Sequence, residues 1–137
     1  MKPTRSGHAW ALTAFALTAF AATAQTAHAA DWQYVTSSDT IDVYVDADSI
    51  RLERRDSDTY KVAWVKWNHE RDSKVAQRET VSKYFFDCDS LQSDFIYSVK
   101  YLPDGSVLKS DKYDYLEMHP HAPDSIGAAT VEFVCAR

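Results

Sequence analysis

Two cysteines carry the strongest constraint in this sequence: Cys88 follows the most strand-like aromatic run, residues 81–87, and Cys135 stands near the C-terminal end. If the two are bonded, the tail is docked on that strand and the remaining chain must pack around the clamp. Whether they bond depends on the compartment, and the first residues indicate it. Lys2 and Arg5 form a basic start, an apolar run extends from Trp10 to Phe20, and Ala27, His28 and Ala29 fit a small-x-small cleavage site. Residues 1–29 therefore read as a secretory signal peptide, leaving residues 30–137 as one domain. A membrane anchor is the weaker reading, because the apolar run falls short of the roughly 20 residues a spanning helix needs and no basic stop-transfer flank follows. No cysteine lies near the cleavage site to carry a lipid. The exported chain is thus expected in the periplasm, at the cell surface or secreted, without a lipid anchor or a transmembrane segment.

In an oxidising compartment, two cysteines outside the leader read as one structural disulfide. Such a bridge closes a loop of roughly 48 residues and is worth about 4 kcal/mol in the chain-entropy picture. The rival readings, a reactive thiol pair or half of a metal site, lack a third cysteine or a histidine at ligand spacing. The remaining length suffices for one domain that buries roughly 65% of its unfolded surface. The formal charge is −5, and loss of Lys2 and Arg5 makes the rest more acidic still. That argues against nucleic acid or an anionic membrane surface as the partner.

Alternation of large and polar residues marks the strands. Residues 31–35 and 41–46 alternate around a polar turn, and a second turn, Asp46 to Ser49, leads to the short run Ile50 to Leu52. The acidic turn lacks the glycine and the terminal glutamate of a calcium loop. Residues 53–58 mix charges and read as a loop. Residues 59–68 form the longest β-type run, with Tyr60, Val62, Trp64 and Lys66 on one face and Lys61, Ala63, Val65 and Trp67 on the other. Apolar groups on both faces place it in mid-sheet. Residues 69–77 are charged and aperiodic, as in a mobile connection. Further strands follow at 79–88 and 94–101, and Pro103, Asp104 and Gly105 signal a hairpin returning into 107–110. Two readings remain open for the tail. Ile126, Ala129, Thr130, Phe133 and Val134 make a helical stripe behind the start signals Pro123, Asp124 and Ser125, whereas residues 130–134 are β-branched and alternate like a strand. The helix is favoured.

Little here points to chemistry. The chain has no nucleophile elbow and no phosphate-binding glycine loop; after the leader its glycines are Gly105 and Gly127. His69 beside Glu70 is too common a pairing to define a base, and no two carboxylates stand out as acid and base. A non-enzymatic protein without a cofactor is expected. His119 and His121, near Asp114 and Glu117, form the one cluster suited to a transition metal, yet two histidines flanking Pro120 in a loop read first as solvated surface. Aromatic residues such as Trp32, Trp64, Tyr84, Tyr97 and Tyr115 read mostly as core, since a small β-rich domain needs large side chains inside. Trp67 and Tyr113, each beside polar loop-like sequence, are the candidates for a partner-binding surface.

Taken in order, Tyr44-Val45-Asp46 with Ser49-Ile50, Trp64-Val65-Lys66, Phe86-Asp87-Cys88, Tyr101 with Asp104-Gly105, Pro123-Asp124-Ser125 and Val134-Cys135 span nearly the whole chain after the leader. This series resembles the surface-adhesin protein E family of small exported bacterial domains. The resemblance implies an α+β fold, an antiparallel sheet of about six strands with a C-terminal helix laid across it and tethered by a Cys88–Cys135 disulfide. It settles the tail as helix. It also implies a non-enzymatic module that binds a protein partner, since the family's named member engages host matrix and plasma proteins, and it leaves a homodimer open. That named member is lipid-anchored, whereas this chain has no lipidation cysteine, which favours a soluble periplasmic protein. No short motif transfers as a ligand site. The alternative function is a periplasmic domain that takes a small ligand or a metal through His119 and His121.

Overall fold

A computed structural model describes residues 29–137; apart from Ala29, the expected signal peptide over residues 1–29 lies outside the described residues. In chain order the elements are β1 (Trp32–Ser37), β2 (Asp42–Asp46), a single 3-10 turn (Ala47–Ser49), β3 (Arg51–Arg55), β4 (Asp58–Asn68), β5 (Glu79–Asp87), β6 (Gln92–Tyr101), β7 (Val107–Lys112), β8 (His119–Pro120) and α1 (Ile126–Cys135). Six strands pair antiparallel in the order β1-β2-β4-β5-β6-β7 and curl into a half-barrel, while β3 adds to β4 and β8 to β6. This is the α+β architecture that the sequence implied.

The long strand β4 is central because both of its faces carry apolar groups. Ala63 and Val65 meet Val43, Val45, Phe86, Val131 and Val134 in the core beneath α1, all of them at most 1% exposed. On the opposite face Val62 and Phe85, neighbours across the β4–β5 ladder, are also fully buried. What covers them is the segment read as a charged loop. Residues 51–55 instead form β3, with a turn at Asp56, whose φ of 55° lies in the left-handed region that Asp tolerates. Alternation of charged residues along β3 gives no apolar signal. Its work is to lay Arg55 and Glu53 over the second face: the Arg55 guanidinium lies 5.7 Å from the Phe85 ring centre, and Glu53 receives the Lys83 ammonium at 2.9 Å. That hydrogen bond with Lys83, more than any other influence, holds the Glu53 carboxyl below its usual range.

The connection expected to be mobile, residues 69–77, is tied down at both ends and in the middle. His69 N–H donates to Arg78 O at 2.7 Å, and Arg71 grips Asp42 with two hydrogen bonds of 2.6 and 3.0 Å while also donating to the carbonyls of Ser38 and Asp39. The hairpin between β6 and β7 forms as expected around Gly105, whose φ of 83° suits a residue without Cβ.

The tail is a helix. Ser125 caps it, its Oγ accepting from Ala128 N–H at 3.1 Å, as the start signals indicated. The buried stripe is rotated from the expected one: Thr130, Val131 and Val134 are inside, whereas Ile126 and Phe133 sit at its margin. Cys88 and Cys135 are bonded, with Cα atoms 5.6 Å apart. Lys61, from the same β4 face as Ala63, places its ammonium under the helix end and donates to the carbonyls of Val134, Cys135 and Arg137. A cation there satisfies carbonyls that lack helical partners and complements the helix dipole.

Candidate functional site

Residues 113–123 continue from β7 along β6 as a strap, and hydrogen bonds hold it in place. Tyr113 N–H donates to Ile96 O at 2.8 Å, Glu117 N–H to Asp94 Oδ2 at 2.7 Å, and Arg55 donates to Asp114 O at 2.6 Å. Strand β8 then pairs His119 with Ser93 and Pro120 with Gln92. Each side of this strap has a pocket.

The inner pocket, about 410 Å³, lies between the sheet and the start of α1 and is lined by Trp67, Tyr84 and Ser93 on one side and His121, Ile126, Gly127 and Thr130 on the other. Burial pushes the Tyr84 phenol up to about 12, although a hydrogen bond with Trp67 acts in the opposite sense. His121 Nε2 lies 2.7 Å from Ser93 Oγ. Its ring rests on the Gly127 backbone so closely that a Cβ there would fall 2.1 Å from His121 Nδ1. Gly127→Ala should therefore destabilise the fold by about 1–2 kcal/mol, even though Ala favours a helix interior by about 1 kcal/mol over Gly. Denaturant unfolding checks this, and the double variant Gly127→Ala with His121→Ala should recover part of the loss. An increase in stability for the single variant would mean that the ring yields freely.

The outer pocket, about 170 Å³, is lined by Asp94, Phe95, Tyr113, Tyr115, Glu117 and His119. A chain of rings joins it to the core: Phe86 to Tyr84 at 5.8 Å between centres, Tyr84 to Phe95 at 5.4 Å and Phe95 to Tyr113 at 5.7 Å. Tyr113 is 44% exposed and Tyr115 72% exposed.

All four residues singled out by sequence thus gather around the strap, Trp67 with His121 inside and Tyr113 with His119 outside. Trp67 packs against the helix-side core, so Tyr113 is the more accessible of the two partner-binding candidates. Among the described residues no three His, Cys, Asp or Glu side chains converge to hold a metal, and the two histidines line different pockets. Tyr115, read as core, is the residue that sequence reasoning missed; its spacing of two from Tyr113 was the available signal.

His69 lies elsewhere, its Nε2 3.1 Å from Thr80 Oγ1 and its Nδ1 buried without a hydrogen-bond partner, while Glu70 pairs with Arg78 at 3.7 Å. Burial lowers the pKa of His69; it also lowers that of His121, where the charge of His119 adds to the effect. In the unfolded chain both rings take up protons at about pH 6.5, and the folded state resists until lower pH. The stability from their neutral forms is full above about pH 6.5 and is lost as pH falls toward the lowered folded values. Unfolding midpoints should accordingly decline as pH falls below about 6.5, with a shallower slope in His69→Asn. A flat or rising profile across that window contradicts the assignment.

An antiparallel sheet with one disulfide-tethered helix and a strap of exposed aromatics defines a small, disulfide-stapled α+β domain. The chain belongs to the surface-adhesin protein E family, whose model matches residues 32–136. Comparison with curated proteins and with solved structures gives no match. Among the described residues no helix is long and apolar enough to cross a membrane.

Proposed function

We propose that this is an exported, non-enzymatic binding protein whose domain, residues 30–137, engages a protein partner of the host matrix or plasma after its leader is removed. The observation that carries this reading is the pair of exposed tyrosines, Tyr113 and Tyr115, held on a strap that is hydrogen-bonded to β6. Preorganised aromatic side chains lose little entropy on binding and recur at interface hot spots. Trp67 lines the inner pocket together with Tyr84, whose ring packs on Phe95 beneath Tyr113. Family membership points the same way. Titration against immobilised matrix and plasma proteins tests it: saturable binding is expected, weakened about tenfold or more by Tyr113→Ala, which corresponds to about 1.4 kcal/mol. Absence of saturable binding, together with confinement of the chain to the periplasm, ends the adhesin reading.

The inner pocket supports a second reading, since about 410 Å³ lies within the range of small-ligand sites and its walls are largely apolar. A thermal-shift titration with indole, a flat apolar probe, would raise the melting temperature on this reading. An unchanged melting temperature at saturating indole removes it.

A further inference from the structure

The outer pocket brings together aromatic walls and fixed negative charge, with the imidazole of His119 as the one basic side chain in its lining. Asp94 is oriented by the protein, Oδ1 accepting from Phe95 N–H at 2.8 Å and Oδ2 from Glu117 N–H at 2.7 Å. Those amides aim the carboxylate without neutralising it. Among the described residues neither Asp94 nor Glu117 takes part in an ion pair, whereas Arg51, Arg71, Arg78, Lys83 and Lys109 are all paired with other carboxylates. Arg55, the basic residue bonded to the strap, donates to a backbone carbonyl and lies over Phe85.

The rings supply the second half of a cation site. Phe95 and Tyr113 meet edge to face at 81°, and Tyr115 stands exposed beside them. Aromatic faces attract ammonium and guanidinium groups. The same chemistry recurs within this molecule, most closely where Lys66 lies 4.5 Å from the Trp32 ring centre and Arg137 lies 3.5 Å from that of Phe133. A volume of about 170 Å³ suits one side-chain head group and excludes a large ligand. The acidic balance of the whole chain, −5, steers cationic partners toward it.

We infer that the outer pocket receives a lysine or arginine side chain projecting from the protein partner, so that recognition is by positive charge as much as by apolar contact. This rests on the reading above that the partner is a protein. The test is an amide-shift titration of the ¹⁵N-labelled protein with N-acetyl-lysine methylamide and N-acetyl-arginine methylamide, using N-acetyl-norleucine methylamide as the uncharged control. Saturable shifts are expected at residues 94–95 and 113–119, with affinity at least fivefold above the control and weakened by added salt. Tyr115→Ala and Glu117→Gln, both at exposed positions where folding is not at stake, should each weaken binding at least threefold.

Equal binding of norleucine, or shifts confined to other residues, overturns the assignment. A matrix or plasma protein that binds the two variants as well as the original chain overturns it too, while leaving the protein-partner reading intact. If the amino-acid probes bind as expected but no protein does, the occupant is a free ammonium compound and the protein source is overturned.

Discussion

Replacing both cysteines in a Cys88→Ser/Cys135→Ser variant should cost about 4 kcal/mol and release α1 before the sheet opens. The size follows from the separation of 47 residues between the bonded positions, because an unfolded chain freed of that loop regains its closure entropy. The order of events follows from what else holds each part. Strands β4 and β5 share a ladder of eight residue pairs and bury both faces. Helix α1, ten residues long, is too short to persist alone in water and is otherwise held by Val131, Val134, the Ser125 cap and Lys61 beneath its end. Hydrogen exchange reads the outcome: amides of residues 129–135 should lose protection well before those of β4 and β5. Unchanged exchange in the tail would show that packing alone secures it.

The strands were legible where one face is buried, because period-two alternation in residues 41–46, 59–68 and 94–101 reports that burial directly. The tail was legible only in part. Its β-branched residues allow a strand, and the choice falls to the Ser125 cap and to the space over Ala63 and Val65 that Val131 and Val134 fill. What could not be read has a common cause, which is dependence on distant partners. Charged β3 is a strand because β4 offers a ladder and Phe85 needs a cover. Residues 69–77 are anchored because Arg71 finds Asp42, 29 positions earlier. The site is of the same kind: Trp67, Tyr113, His119 and His121 were each visible as residue types, but their gathering depends on the two-residue pairing of β8 with β6, which leaves no periodic signature.

Phe85 and Phe86 are adjacent, equally buried and point to opposite faces, so their alanine variants should separate the two cores. Each should cost about 3–5 kcal/mol, the usual range for emptying a buried phenylalanine site. Their consequences should differ in place. Phe86 belongs to the cluster containing Val131 and Val134 and lies across the ladder from Lys61, whose ammonium caps the helix end. Phe86→Ala should therefore speed amide exchange in α1. Phe85 lies under Arg55, Lys83 at 5.2 Å and Tyr60 at 6.0 Å, so Phe85→Ala should speed exchange in β3 and spare α1. Combination with loss of the disulfide sharpens the contrast. Once the bridge no longer holds α1, the contacts of Phe86 with it count for less, so the combined cost should fall short of the sum by about 1 kcal/mol or more. Phe85 lies outside the cluster on which Cys88 and Cys135 pack, and its cost should add to within about 0.5 kcal/mol. Equal acceleration of α1 exchange by both variants would show that the sheet transmits strain through its thickness and that the faces are one core.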